Sequence, residues 1–448
     1  MRRLVAGQSG DYNRGVDSSC LAIGGGPNAV NWDHCLEYAE LSDLGLRRAN
    51  NQDSKAVVIA GSQEKWAKRG HLFMVADGMG AHAAGELASK LATDIIPLSY
   101  HKLADQPPPA ALLAAVQDAN AQIHSRGQAS EDFRGMGTTI STLILLPQGA
   151  LVAQIGDSRV YRWRNHRLEQ LTFDHSLVWE LRASGQLPDG TVPSYVPKNV
   201  ITRSLGPNPQ VQVDLEGIFP VQVGDAFLLC SDGLSGQVQD DEIGKILGCL
   251  PLAEATRALV DLANLRGGPD NVTVVTVRVT APLGTQGASD EAASPPPAAR
   301  PIHPAVWGLL GGTGFFAVAF AALGFLVPAA VCALGAVGAG IAALVQRYGG
   351  DAGVEYDGRP LGKGPYTSCN CLPDADFVRR LTDIIGQLQD AAARDHWTVD
   401  WNRFNGHSQN AAAAAQAGRY DEAIRGYCRA ISFMMDELKG QRSRKRGG

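Results

Sequence analysis

The sequence predicts an α+β protein: stacked antiparallel sheets flanked by helices, then a highly apolar segment and a small all-α region. Three observations predict it. Apolar runs of five to eight residues recur up to about Thr280, joined mostly by hairpin-length turns rather than helical crossovers, which disfavours a doubly wound parallel sheet. No Asp, Glu, Lys or Arg occurs between Arg300 and Arg347. From about residue 374 the apolar pattern returns with a helical period.

Taken in order, residues 1–36 are Gly- and Asn-rich without a period, which predicts a mobile leader. The runs 71–76, 141–146, 151–155, 226–230 and 272–279 read as buried strands. Helical stretches stand out at 86–95, 110–125 and 252–265. Residues 281–304 are rich in Pro, Ala and Ser and mark a linker. The uncharged run over 305–346 is long enough for two membrane spans of about 20 residues each, turning near Pro328; a single span is the alternative. Arg300 and Arg347 flank it, so the positive-inside rule keeps both flanks cytoplasmic and makes this a multi-pass cell-membrane protein. A Gly-rich link follows over 347–373, then a helical region over 374–440 and a basic tail over 441–448. Within that region Ala411 to Leu438 resembles one tetratricopeptide unit, with an ordinary helical bundle as the alternative. The main folded domain is therefore expected over 37–280.

Composition narrows the function. The net charge of −5 offers no basic surface for nucleic acid, and the cluster from Lys439 to Arg446 reads as a solvated tail. The eight cysteines are scattered and no secretory signal opens the chain, which suits reduced thiols facing the cytoplasm. Cys369-Asn-Cys371 is too short a pattern to indicate a metal site.

The chemistry lies in separated acidic motifs. Asp77 follows Phe73-Met-Val-Ala76 and precedes Gly78-Met-Gly80; Asp232 follows Phe227-Leu-Leu-Cys230. Asp157 follows the run 151–155 and Gly156, and Asp270 precedes a strongly β-forming run. A carboxylate at the end of a buried strand is costly unless a cation meets it. Several together, with no Cys/His cluster, point to Mg²⁺ or Mn²⁺. Such a set suits a two-metal centre for phosphate-ester hydrolysis, and Arg48, near Asp53, supplies a guanidinium fork for phosphate oxygens. Each Asp-Gly taken singly is an ordinary turn.

The region from about Leu41 to Val279 resembles the metal-dependent type 2C (PPM) protein serine/threonine phosphatases in their bacterial form. The resemblance rests on ordered motifs: Ser42-Asp-Leu-Gly45, Arg48 to Asp53, Val75 to Gly80, Met136-Gly-Thr-Thr139, Gly156 to Tyr161, Leu171 to Leu177, Val200 to Gly206, Leu228 to Leu234 and Pro269 to Thr273. It implies a sandwich of two antiparallel sheets with helices on both outer faces. It also implies two Mn²⁺ or Mg²⁺ ions, with a third possible. Asp77 would bridge the two, Gly78 would offer its carbonyl, Asp232 and Asp270 would hold the first ion, and Asp53 would act through water. Asp157, with Asp232, would match the third site. Arg48 would bind the substrate phosphate, His82 is the candidate general acid, and residues 184–199 match a mobile flap. Three positions depart from the family pattern: Gln52 where Glu is common, Ala81 in the usual Gly-Gly-His turn, and Gly236 in place of a further Asp. The implied substrates are phosphoserine and phosphothreonine proteins, with serine/threonine kinases as partners and the helical region binding a further protein. The alternative is a catalytically weak phosphoprotein-binding or scaffolding protein acting through those helices.

Overall fold

The computed structural model of the chain describes residues 32, 34–80, 83–188, 192–193, 196–197, 200–283, parts of 312–335, and 361–446. Two antiparallel sheets stack face to face. The first has the order β1-β11-β10-β7-β8-β12, from strands β1 (Leu36–Asp43), β7 (Arg159–Arg164), β8 (Arg167–Gln170), β10 (Ala226–Cys230), β11 (Val272–Val279) and β12 (Thr367–Asn370). The second runs β2-β3-β5-β6-β9, with β2 (Asp53–Val58), β3 (His71–Met79), β5 (Ile140–Leu146), β6 (Gly149–Ile155) and β9 (Asp214–Phe219). The short β4 (Gly137–Thr138) pairs with the end of β3.

Between the sheets lie Phe73, Val75, Leu143, Val152, Phe227, Leu229, Val275 and Val277. Their alternating neighbours Leu72, Met74, Ile144 and Leu151 pack outward beneath helices α2 (Ala84–Lys102) and α3 (Pro108–Gln128). On the other side Leu228 and Val274 pack beneath α6 (Asp240–Cys249) and α7 (Leu252–Leu265). Strands covered on both faces need apolar residues at every position, which is why they read as unbroken runs. Helix α2 extends through Pro97 well past the expected end at residue 95.

Two boundaries differ from expectation. The leader does not extend to residue 36: Cys35 is fully buried, and β1 pairs with β11 from Leu36↔Val279 onward. Its sequence, LEYAELSD, is that of a half-exposed edge strand and lacks an apolar run. Residues 1–31 and 33 lie outside the described residues. The expected Gly-rich link also holds structure. Leu361 bridges Gly217, and Glu216 accepts hydrogen bonds from Lys363 N (2.9 Å), Gly364 N (2.9 Å) and the Tyr366 hydroxyl (2.5 Å). β12 then pairs with β8 and covers that edge of the sheet. Residues 347–360 lie outside the described residues, as does most of the expected membrane segment. Among the described residues no helix is long and apolar enough to cross a membrane.

Three helices complete the chain: α8 (Ala375–Arg394), α9 (Trp401–Gln416) and α10 (Tyr420–Arg446). They share one core with α6 and α7, through Phe377, Leu381, Phe404, Ile424, Ile431 and Met434. At the α9–α10 contact Gly426 lies so near Ala411 that an added Cβ would sit 2.8 Å from the Ala411 Cβ, so a small residue is required there.

Candidate active site

Strand register creates the site. β2 and β3 pair with Asp53 directly opposite Asp77, two like charges at a position where cross-strand repulsion is strongest. Asp77 is fixed through its backbone: its N–H donates to Thr139 Oγ1 (3.0 Å), and its carbonyl accepts from Thr139 N (2.8 Å) and Thr138 Oγ1 (2.9 Å). This is the contribution of the Met136–Thr139 motif. Gly78 follows where the backbone approaches Gly85 so closely that a Cβ would lie 2.1 Å from its carbonyl oxygen. Asp232 opens the short helix α5 (Asp232–Ser235) where β10 ends, and Asp157 lies in the β6–β7 turn.

Asp270 and Arg48 meet across the loops. Arg48 Nη2 lies 2.6 Å from Asp270 Oδ2, and Asn271 N donates to Asp270 Oδ1 at 2.8 Å. The expected phosphate-binding Arg thus pairs with an expected metal ligand. One of its five N–H donors is committed to this bond, and the guanidinium is half exposed. The bond to Asp270 raises the Arg48 pKa further, with Asp77 and Asp232 adding to it.

The carboxylates are frustrated. Burial, then the charges of Asp53, Asp232, Asp157 and Asp270, push Asp77 well above the usual range. Burial raises Asp53 to about 7, although Ser231 Oγ donates to its Oδ2 at 2.7 Å. Burial and Asp232 raise Asp157 to about 7. Burial and Asp270 raise Asp232, against a hydrogen bond from Asp77. Oδ1 of Asp53, of Asp157 and of Asp232 is buried and completes no hydrogen bond with the protein. Among the described residues the cluster is open: no three ligand side chains converge on one point. Buried carboxylate oxygens without donors are the donor set of a hard divalent cation, so these residues fit Mg²⁺ or Mn²⁺.

A cleft of about 650 Å³ opens beside the cluster, lined by Arg48, Asp157, Asp232 and Asp270 and by Trp179 and Arg182 of α4 (Leu177–Ala183). Beyond α4, Leu187 and Val196 of the expected flap join Val178 in a small apolar cluster. His175 is a fold contact: Nδ1 accepts from Gly156 N (3.0 Å) and Nε2 meets Asp214 Oδ2 (2.9 Å). His82 and Ala81 lie outside the described residues.

A family model described as "Protein phosphatase 2C" matches residues 47–265. Protein phosphatase PhpP of Streptococcus pneumoniae is 39% identical over 248 residues, 54% of this chain and 97% of that protein. Serine/threonine phosphatase stp of Listeria monocytogenes is 34% identical over 241 residues, covering 53% and 93%. The chain belongs to the protein phosphatase 2C family. This phosphatase is also 39% identical to serine/threonine protein phosphatase PstP of Mycobacterium tuberculosis over 54% of its own length and 45% of that protein. Among solved structures, the S. agalactiae serine/threonine phosphatase matches 55% of it at 34% identity, covering 99% of that chain with a TM-score of 0.48. The catalytic domain of PstP, solved in complex with two manganese ions, matches 55% at 36% identity, covering 99% with a TM-score of 0.45. By its family and by these curated relatives, the enzyme is a metal-dependent protein serine/threonine phosphatase and acts on phosphorylated proteins.

Two residues of this phosphatase's site carry roles the sequence did not reveal. Asn271 orders the whole Arg48 loop: its amide donates to the carbonyls of Leu44 (2.9 Å) and Asn50 (3.0 Å), and its Oδ1 accepts from Gln52 N (2.8 Å). Ser231 bonds both Asp53 and Thr273 N. Both lie beside recognised acidic residues, and that adjacency was the available signal. Gln52, the departure from Glu, has its carbonyl taken by Gly78 N (3.1 Å) and Ser89 Oγ (2.6 Å), so the backbone here is held independently of the side chain.

Proposed function

We propose that this phosphatase hydrolyses phosphoserine and phosphothreonine monoesters on proteins at a two-metal centre. Asp77 would serve both ions, Gly78 would offer its carbonyl, Asp232 and Asp270 would hold the first ion, and Asp53 would act through water. Asp157 with Asp232 would serve a third ion. When bound, Mn²⁺ or Mg²⁺ offsets the carboxylate charge and lowers the pKa of coordinated water. The observation that carries this reading is the set of buried, donorless Oδ1 atoms on Asp53, Asp157 and Asp232.

Arg48, free in most of its donors, would grip two phosphoryl oxygens and hold the ester in line for water attack on phosphorus. The P–O bond to the side-chain oxygen breaks, and His82 would give that oxygen its proton. Trp179 and Arg182 also line the cleft and would meet the peptide that carries the phosphate.

The uncharged run between Arg300 and Arg347 supports a membrane hairpin over 305–346, with the phosphatase domain (37–280) and the helical region (374–440) both on the cytoplasmic side. Serine/threonine kinases would share that compartment as partners, and the tetratricopeptide-like pair α9–α10 would receive a protein. The deciding assay uses the purified full chain with a phosphothreonine peptide, with and without Mn²⁺. Turnover should require the metal, and calorimetry should count at least two ions per chain; saturation at one would overturn the two-metal reading. For topology, a reporter active only outside the cytoplasm should be silent after Gly448 and active near Pro328.

A further inference from the structure

The last helix reaches the catalytic loop. Near the end of α10, Lys439 Nζ lies 2.7 Å from Asp43 Oδ2 and 3.8 Å from Asp261 Oδ1 of α7. Asp261 is 1% exposed, and burial raises its carboxyl to about 6, so a cation beside it meets a real electrostatic need. The other oxygen of Asp43 accepts from Gly45 N (3.0 Å) and Asn264 Nδ2 (3.1 Å). Gly45 has φ +79° and is pressed so close to Asp270 that a Cβ would lie 2.1 Å from its carbonyl oxygen. Leu46 N then donates to the Gly268 carbonyl at 2.9 Å, and Arg48 reaches the Asp270 carboxylate. The contacts run without a gap from the C-terminal helix to the guanidinium.

We propose that Lys439 is a positioning residue for Arg48. By neutralising Asp43, and sharing Asp261 with Arg257 (3.5 Å), it sets the Asp43–Gly45 turn against Asp270, and so fixes where the Arg48 fork points. The C-terminal helices then serve the catalytic domain as a brace for its phosphate-binding loop, besides any partner they receive. The proposal rests on the reading of Arg48 as the phosphate-binding residue. Lys439 is 44% exposed, and an ion pair that open contributes little to global stability, so its effect should be local.

The test uses the full chain with Mn²⁺ and p-nitrophenyl phosphate, comparing Lys439→Met, Lys439→Arg, Arg48→Ala and the double variant Lys439→Met/Arg48→Ala. Lys439→Met should raise KM about fivefold with kcat within about twofold and the melting temperature unchanged, and Lys439→Arg should restore KM. The double variant should be no worse than Arg48→Ala alone, because one effect acts through the other. An unchanged KM in Lys439→Met, with KM raised in Arg48→Ala, overturns the positioning role and leaves the Arg48 reading intact. Multiplying effects in the double variant, or a lowered melting temperature that Arg does not rescue, overturn it as well. An unchanged KM in Arg48→Ala refutes the Arg48 reading and the positioning role with it.

Discussion

Two charged clusters line the same cleft and are built on opposite principles. Around Arg159 every charge has a partner: its guanidinium bonds Asp174 through Nε (2.9 Å) and Nη2 (2.7 Å) and the Tyr161 hydroxyl at 2.8 Å, and Tyr161 donates to Asp240 at 2.8 Å. Gln170 adds a bond to Asp174 at 2.7 Å. Burial opposes the Arg159 charge, yet Tyr161 and Asp174 hold its pKa well above the ordinary value. Around Asp77, five carboxylates crowd together, of which the half-exposed Arg48 bonds Asp270, and three buried oxygens have no donor. A satisfied network stiffens a fold. A frustrated one that opens onto a cleft stores a demand for a ligand.

The largest effect that would break this contrast is on turnover. Asp77→Asn removes one charge at nearly constant volume and should cost Mn²⁺-dependent kcat/KM at least about a thousandfold, while the metal-free protein melts no lower than the parent. Activity within about threefold of the parent would refute the central role of Asp77. The satisfied cluster should respond the other way: Asp174→Ala strands a buried guanidinium and should cost about 3 kcal/mol in chemical denaturation. Metal affinity of the folded fraction should stay within about threefold, and a large loss of affinity would merge the two clusters into one. Next in size, Arg48→Ala should raise KM about tenfold with a smaller loss in kcat, since a phosphate contact already made in the ground state is lost. An unchanged KM would assign Arg48 to bracing Asp270.

The smallest effect is in pH dependence. Asp53 and Asp157 titrate near 7 in the fold against 3.8 ordinarily, so between these values the metal-free fold keeps protons that the unfolded chain has released. Stability of the metal-free protein should therefore fall as pH rises from about 4 to about 7 and level off above, because the native state binds more protons across that window. Saturating Mn²⁺ should reverse the slope, since ligand carboxylates bind metal only when ionised. Melting temperatures across pH 5 to 8 with and without chelator check both signs; a metal-free protein that gains stability with rising pH would show that the carboxylates are not frustrated.

How much of this was legible depends on whether a feature is local in the chain. Asp77, Asp232 and Asp157 were legible because an acidic residue ending an apolar run breaks a one-dimensional pattern. The strands of both sheets were legible where they are covered on both faces. That Asp53 faces Asp77 depends on register, which no local pattern encodes, and the Arg48–Asp270 bond joins residues more than two hundred positions apart. β12 was invisible because Thr-Ser-Cys-Asn has little β signal; it is held by the β8 edge and by Glu216, an ordinary residue in sequence. The Arg159 cluster went unnoticed since its members lie in β7, β8, α6 and the loop that holds Asp174, and satisfy one another.

Strand β12 and the Leu361 bridge also set a length. The chain leaves the catalytic body after Leu283, packed with the inter-sheet core, and is fastened to it again at Leu361. The excursion between is thus a loop closed at both ends. If the proposed membrane hairpin ends near Arg347, fourteen peptide steps would separate the lipid surface from the Leu361 anchor, a reach of at most about 50 Å when fully extended. The enzyme would then work as a leashed catalyst, sampling only phosphoproteins within a shallow layer beneath the bilayer. For membrane-bound substrates that layer confers a high effective concentration, and soluble ones must diffuse into it.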